Sequence, residues 1–129
     1  SFEGTPEFLR PLRARWVPYF QGCQRVLDIG CGEGVFLELL RAAGIPAEGI
    51  DCDPEMVAAA RARGLSVVQA RAQDYLAGRT AAYDGIFLGH IIEHLTGPEA
   101  LQLLADCRRV DSSDTELPAS AGRQPDLLA

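Results

Sequence analysis

Short apolar runs alternate with amphipathic stretches through the middle of the chain. Four runs have the length of buried strands, at residues 25–29, 47–50, 65–70 and 83–88. The stretches that follow them space their apolar side chains like helices, at residues 34–43, 54–64, 72–77 and 98–109. Strands that alternate with helices form a parallel sheet with right-handed crossovers. The pattern therefore predicts an α/β fold, a parallel sheet with flanking helices.

A glycine-rich turn of the form G-x-G-x-G follows the first predicted strand, at residues 30–34. Glycine lets a backbone approach a ligand closely, and the start of the next helix offers free N–H groups. The next apolar run ends at Asp51, whose carboxylate can accept hydrogen bonds from ribose hydroxyls. Together these features predict a nucleotide-binding βαβ unit.

The amino-acid sequence of this unit resembles that of a known family. The sequences DIGCGEG at residues 28–34 and GIDCDPEM at residues 49–56 resemble the Rossmann-like (class I) methyltransferases that depend on S-adenosylmethionine. The likeness extends over residues 23–110 and implies S-adenosyl-L-methionine as cofactor, with S-adenosylhomocysteine as product. Members of this family continue with further strands, so the resemblance implies a domain at residues 23–110 that is truncated after the fourth strand and helix.

The two ends of the chain receive separate predictions. Residues 1–22 are predicted to be a helical segment, interrupted by Pro11 and Pro18, that either covers the cofactor as a lid or only covers the sheet. Residues 111–129 lack a periodic apolar pattern and are predicted to be a disordered tail. Without a fifth strand, the fourth would present unpaired backbone groups, which predicts a homo-oligomer formed through that strand edge.

The resemblance also implies which residues hold the cofactor. Gly30, Cys31 and Gly32 would give its amino-acid portion access to the backbone, with the Gly30 carbonyl accepting from the ammonium group. Asp51 would bind the ribose hydroxyls, the alternative being a loop or helix-capping role. Asp28 would either contact the ligand through water or orient the loop by a hydrogen bond.

The adenine ring would lie beyond the second strand. Cys52 and Met56 are candidates to line one side of it, although Met56 is equally suited to the core. By resemblance, Ala72 and Gln73 supply a backbone amide to the adenine edge and Asp74 supplies the acid.

The segment after the fourth predicted strand would lie near the transferable methyl group. Leu88 is a candidate cofactor contact, and His94 or His90 is a candidate general base, the alternative being structural hydrogen bonding. The same segment spells H-x-x-E-H with Glu93, a metalloprotease pattern. It emerges from a strand after a glycine and has no evident third ligand, so we predict no proteolysis. Some small-RNA 3′-terminal ribose methyltransferases hold a divalent metal with an acid, a Glu and a His at equivalent positions. Here His90 replaces the acid, so no metal is predicted, and a metal at His90, Glu93 and His94 is the minority alternative.

Composition limits the partners. The chain has 129 residues, 47% hydrophobic and 23% charged, as in an ordinary globular protein. A net charge of −6 argues against nucleic acid, and no apolar run or leading segment indicates a membrane span or signal peptide. Four widely spaced cysteines predict free thiols in a reducing cytosol rather than a zinc site.

Three functions remain open at this stage. The first is a cytoplasmic methyltransferase acting on a small molecule or a saccharide hydroxyl, because relatives with the V-L-D-x-G-C-G-x-G-x-F-L-E-L-L run of residues 26–40 include enzymes of polysaccharide and small-molecule pathways. The second is a non-catalytic cofactor-binding fragment. The third is an NAD-type domain, whose G-x-G-x-x-G fingerprint this chain does not match because Val35 stands at the last glycine position.

Overall fold

Four parallel strands form one sheet in the computed structural model, which describes residues 6–89 and 95–112. The strands are β1 (Val26–Ile29), β2 (Ala47–Asp51), β3 (Val67–Gln69) and β4 (Gly85–Leu88). Their order is β3-β2-β1-β4, and each neighbouring pair runs parallel. The predicted Rossmann-like sheet is confirmed. The third and fourth strands are shorter than the periodicity predicted.

Helices connect and flank these strands in the described part of the chain. They are α1 (Pro6–Ala14), α2 (Val35–Ala42), α3 (Pro54–Ala62), α4 (Ala72–Leu76) and α5 (Gly97–Val110). Asp53 caps α3, where its carboxylate accepts a hydrogen bond of 2.9 Å from the Glu55 N–H. A capping box between Thr96 and Glu99 starts α5, slightly earlier than the sequence pattern predicted.

The segment before β1 is helical in two pieces. Helix α1 tolerates Pro11 in its interior and ends at Ala14, and a 3₁₀ turn follows at Val17–Phe20, with Pro18 in its first positions. Phe20 at the end of this turn is fully buried and packs edge-on against the rings of Phe36 and Phe87, at centroid distances of 5.7 and 6.1 Å. The leading segment is therefore anchored to the sheet.

Side chains of β1 alternate between the two faces of the sheet. Leu27 and Ile29 belong to a core cluster that includes side chains of α4 and α5. Val26 belongs to a second cluster with Phe36 of α2 and Phe87 of β4. Period-two alternation therefore places Asp28 on the same face as Val26, within a layer of aromatic side chains.

The chain just before the outer strand β4 has a partner. Asp111 forms a parallel bridge with Tyr83, and the Ser112 N–H donates to the Tyr83 carbonyl over 2.5 Å. Asp111 and Ser112 were assigned to a disordered tail from their composition, and that assignment does not hold for these two residues. The prediction of disorder for residues 113–129 falls outside the described residues. Self-association through the β4 edge stays a prediction.

Candidate functional site

The glycine turn after β1 is held in a conformation that glycine adopts most readily. Gly30, Gly32 and Gly34 have φ values of +75°, +59° and +96°. The N–H groups of Gly30 and Cys31 both donate to the carbonyl of Ile50, over 2.8 and 3.0 Å. The turn is thereby attached to the end of β2, so its exposed backbone faces the carboxyl edge of the sheet.

Asp51 joins the glycine turn to the start of α3. One carboxylate oxygen accepts from the Gly32 N–H over 2.8 Å, and the other accepts from the Asp53 N–H over 2.9 Å. Each oxygen keeps a further lone pair, because a carboxylate offers about four acceptor sites. Asp51 can therefore order the loop and still accept hydrogen bonds from a ligand. Helix capping, the alternative considered for it, is carried out by Asp53.

A pocket of about 660 Å³ lies at the carboxyl ends of β1 and β2. Five residues predicted to bind cofactor line it together: Gly30, Asp51, Cys52, Ala72 and Gln73. Arg71 and Leu95 also line it, and neither was singled out from the sequence as a ligand contact. The pocket therefore unites residues from distant parts of the chain, because parallel strands end at the same edge of the sheet.

The other predicted cofactor residues lie outside the pocket walls. The Cys31 thiol belongs to a buried cluster with Leu37, and burial raises its pKa above that of an ordinary thiol. Leu88 belongs to the core between the sheet and α5. Gly32 contributes its N–H to Asp51, Met56 is half-buried on α3, and Asp74 is exposed on α4. Their predicted roles as direct contacts stay predictions.

Asp28 is the most unusual side chain of the site. It is 0% exposed, lies between Gly49 of β2 and Phe87 of β4, and neither carboxylate oxygen has a hydrogen-bond partner among the described residues. Burial raises its pKa to about 7, opposed by the charge of Arg13 and reinforced by that of Asp51. Buried polar groups in proteins are nearly always satisfied. An orphaned acid at a strand end therefore points to a missing polar partner.

Arg13 is a buried cation beside the carboxyl end of β4 that the sequence did not single out. Although it belongs to α1, its side chain is only 9% exposed and its guanidinium lies over the Phe87 ring, 5.6 Å from the centroid. A Cβ at Gly89 would lie 3.0 Å from its Nη1 atom, so the charge lies beside the carboxyl end of β4. No local pattern separates Arg13 from the neighbouring arginines of α1, and only packing shows which one turns inward.

The predicted catalytic segment lies outside the described residues. This applies to both base candidates, His90 and His94, and to Glu93 of the H-x-x-E-H pattern. Within residues 6–89 and 95–112, no three His, Cys, Asp or Glu side chains cluster in a way that could hold a metal ion. No helix in the same ranges is long and apolar enough to cross a membrane.

Comparison with known proteins identifies the family. Residues 26–113 match a family described as a methyltransferase domain. The chain belongs to that family. The match covers the glycine turn, Asp51 and all four strands of the sheet, and confirms the family resemblance read from the motifs.

Similar proteins agree with this membership. The crystal structure of a SAM-dependent methyltransferase from Archaeoglobus fulgidus is similar with a TM-score of 0.80 and 36% identity, covering 85% of this chain and 52% of that one. A ubiquinone biosynthesis O-methyltransferase from Thiobacillus denitrificans is 28% identical over 110 residues, which are 79% of this chain and 47% of the relative. One of the same name from Xylella fastidiosa is 39% identical over 83 residues, 60% of this chain and 34% of the relative. The chain thus spans about half or less of the length of these proteins.

Proposed function

We propose that this chain is the cofactor-binding part of an S-adenosylmethionine-dependent methyltransferase that methylates a hydroxyl group of a small molecule. The observation that carries the proposal is the pocket at the ends of β1 and β2, which is lined by Gly30 of the glycine turn and by Asp51. Membership of the methyltransferase-domain family supports it. When bound, the cofactor supplies a methyl group activated by a positively charged sulfur.

The residues present fit an adenosyl ligand at its ribose. Asp51 lines the pocket, is partly exposed, and retains acceptor capacity beyond its two hydrogen bonds to the loop. Two vicinal hydroxyls present donors that a carboxylate accepts well. Asp51 is therefore the residue we assign to the ribose.

The amino-acid portion of the cofactor carries one positive and one negative group, and both find partners at the end of β1 and β4. Gly30 lines the pocket, so its carbonyl is the acceptor we assign to the ammonium group. The unpaired Asp28 is buried and does not line the pocket, so it would contact the ammonium group through water. Arg13 is the cation available to the carboxylate, because its guanidinium lies beside Gly89 and its buried position enhances charge-assisted hydrogen bonding. This assignment gives α1 a function as part of the binding site, in favour of the lid interpretation.

The adenine would occupy the far end of the pocket. Cys52 and Leu95 offer it side-chain contacts, and the start of α4 at Ala72 and Gln73 offers backbone N–H groups to its edge. Helix N-terminal N–H groups have no intrahelical partner, which leaves them free to bind a ring nitrogen.

The acceptor assignment comes from the relatives. Two of them are named O-methyltransferases of ubiquinone biosynthesis, which favours a hydroxyl of a small molecule over a saccharide. A hydroxyl acceptor must lose its proton, so a base is required, and His94 and His90 remain our candidates. The rest of the catalytic effect is alignment of acceptor and methyl, which can contribute up to about 7–11 kcal/mol.

Calorimetric titration of the chain with S-adenosylhomocysteine, and with NAD in parallel, tests the proposal. We expect S-adenosylhomocysteine to bind and NAD to give no signal at the same concentration. Binding of NAD alone would make the chain a dinucleotide-binding domain. Binding of neither would contradict the proposal.

The Asp51→Ala variant tests the ribose assignment. Loss of a charge-assisted acceptor should weaken S-adenosylhomocysteine binding by about 1.5–3 kcal/mol, or roughly ten- to a hundredfold in Kd. Asp53→Ala is the matched control, because it removes a neighbouring carboxylate that caps α3 and does not line the pocket. Equal affinities of the two variants would refute the assignment.

A further inference from the structure

A second cavity of about 290 Å³ adjoins the cofactor pocket. The two share a wall made by Arg71, Ala72, Gln73 and Leu95. The far side of the second cavity is formed by α5, through Glu99, Gln102, Leu103 and Asp106. The second cavity thus continues the pocket beyond the start of α4, away from the glycine turn.

The shared wall offers little resistance to a ligand group. Ala72 contributes only a methyl group, and the long side chains of Arg71 and Gln73 are exposed, so they can rearrange without disturbing packed core. Leu103 supplies a buried apolar surface behind this wall. A group that leaves the pocket at Ala72 would therefore meet a preformed apolar space.

The two carboxylates of the second cavity are already engaged within the protein. The Asp106 carboxylate accepts from Arg109 over 2.7 Å and from Gln102 over 3.1 Å. The Glu99 carboxylate accepts from the Thr96 N–H over 2.9 Å. A cationic ligand would have to compete with these contacts. An uncharged group needs only the apolar surface of Leu95 and Leu103.

The geometry points to a subsite for a substituent on the adenine ring. With the ribose at Asp51 and the adenine edge at Ala72 and Gln73, as in the proposed function on which this inference rests, the exocyclic N6 nitrogen faces the shared wall. We propose that the cavity beside α5 accepts a neutral aryl or alkyl group carried on that nitrogen. The protein therefore binds N6-substituted adenosyl ligands as well as the unmodified one.

The test compares S-adenosylhomocysteine with its N6-benzyl derivative, titrated calorimetrically into the full chain. We expect the derivative to bind with a Kd within about tenfold of the parent compound. If the parent binds and the derivative does not, the subsite proposal is wrong and the proposed function stands. If the parent itself does not bind, the proposed function fails, and this inference fails with it.

A pair of variants on α5 separates the subsite from the rest of the pocket. Gln102 lines the second cavity at its exposed rim, so Gln102→Trp should fill the cavity without replacing a core side chain. Leu101 is 71% exposed and lines neither cavity, which makes Leu101→Trp the matched control.

The expected result is specific to one ligand and one variant. Gln102→Trp should raise the Kd of the N6-benzyl derivative by about tenfold or more and change the Kd of the parent compound by less than about twofold. Leu101→Trp should change neither Kd. Equal weakening of both ligands by Gln102→Trp, or no weakening of the derivative, would overturn the assignment of the cavity. Thermal unfolding of both variants confirms that each is folded.

Discussion

Two polar clusters lie at opposite ends of the sheet, and they differ in whether the protein satisfies them. At the amino end, Glu48 of β2 accepts from the Tyr83 hydroxyl over 2.6 Å, the Tyr75 hydroxyl over 3.3 Å and Arg25 over 3.1 and 3.3 Å. Burial acts to raise the pKa of Glu48, but the hydrogen bonds from Tyr83 and Arg25 outweigh it and the net pKa is lowered. The acid of this cluster is satisfied by partners within the protein, and we call these residues the closed cluster.

At the carboxyl end, the acid on the neighbouring strand lacks such partners, and we call Asp28 and Arg13 the open cluster. Asp28 is more deeply buried than Glu48, has no hydrogen-bond partner among the described residues, and faces the charge of Arg13 at longer range. A network that closes on itself rigidifies a fold, whereas one that is left incomplete costs stability unless something else completes it. The comparison therefore separates a structural cluster at Glu48 from the cluster at Asp28 and Arg13, which we propose binds the ligand.

The largest loss of ligand binding is expected from a substitution in the glycine turn at the carboxyl end of the sheet. Gly32→Val should abolish S-adenosylhomocysteine binding, because a branched side chain at φ +59° strains the turn, weakens the Gly32–Asp51 hydrogen bond and enters the space open to a ligand. Gly44→Val is the control: Gly44 has φ +76°, open space around it and a place at the end of α2. Calorimetry should show binding by the Gly44 variant only, and retained binding by both folded variants would remove the turn from the site.

The next effect concerns the open cluster itself. Arg13→Ala should weaken the binding of S-adenosylhomocysteine about ten- to a hundredfold, because the buried guanidinium that we pair with the ligand carboxylate is lost. Adenosine, which lacks that carboxylate, should bind both proteins equally.

Arg15→Ala provides the comparison for Arg13, since Arg15 lies over the Trp16 ring at 4.8 Å on the exposed side of the helical segment. It should leave both ligands unaffected. If Arg13→Ala weakened the binding of adenosine as much as that of S-adenosylhomocysteine, Arg13 would be supporting the pocket structurally and the carboxylate assignment would be wrong.

Substitutions in the closed cluster should lower the stability of the fold and leave ligand binding unchanged. Glu48→Ala removes the acceptor of two tyrosine hydroxyls and should lower the free energy of unfolding by about 2 kcal/mol. Glu48→Gln keeps one acceptor oxygen and should lose less. Denaturant unfolding gives the stability of each variant, and calorimetry should give an unchanged Kd for S-adenosylhomocysteine. A weakened Kd in the folded Gln variant would mean that the two clusters are coupled.

A pH dependence at Asp28 provides the last contrast between the two clusters. The folded-state pKa of about 7 lies above the ordinary value of 3.8, so between these two pH values the folded chain holds a proton that the unfolded chain releases. The contribution of Asp28 to stability therefore falls as pH rises through this window and is constant above it. Asp28→Asn should lack this slope, so the difference in unfolding free energy between the two proteins should grow in favour of the variant towards pH 7. Parallel pH profiles would show that Asp28 titrates normally.

Prediction from the sequence succeeded where the chemistry is local. The turn at residues 30–34 and the acid at Asp51 are each recognisable within a few residues, and parallel pairing brings them together without further information. The disorder assigned to Asp111 and Ser112 rested on composition, and composition could not show that α5 returns the chain to Tyr83. The segment that leads into β4 is thus paired with the end of α5.

The sequence by itself determined the order of strands and helices, the position of the glycine turn and the family, because these depend on periodicity and on residues near one another in the chain. Only the tertiary structure decided that Arg13 turns inward beside Gly89, that Asp28 is buried without a partner, and that a second cavity adjoins the pocket at Ala72. Each of these depends on surfaces from helices distant in sequence, and the pattern of a single segment carries no record of what packs against it.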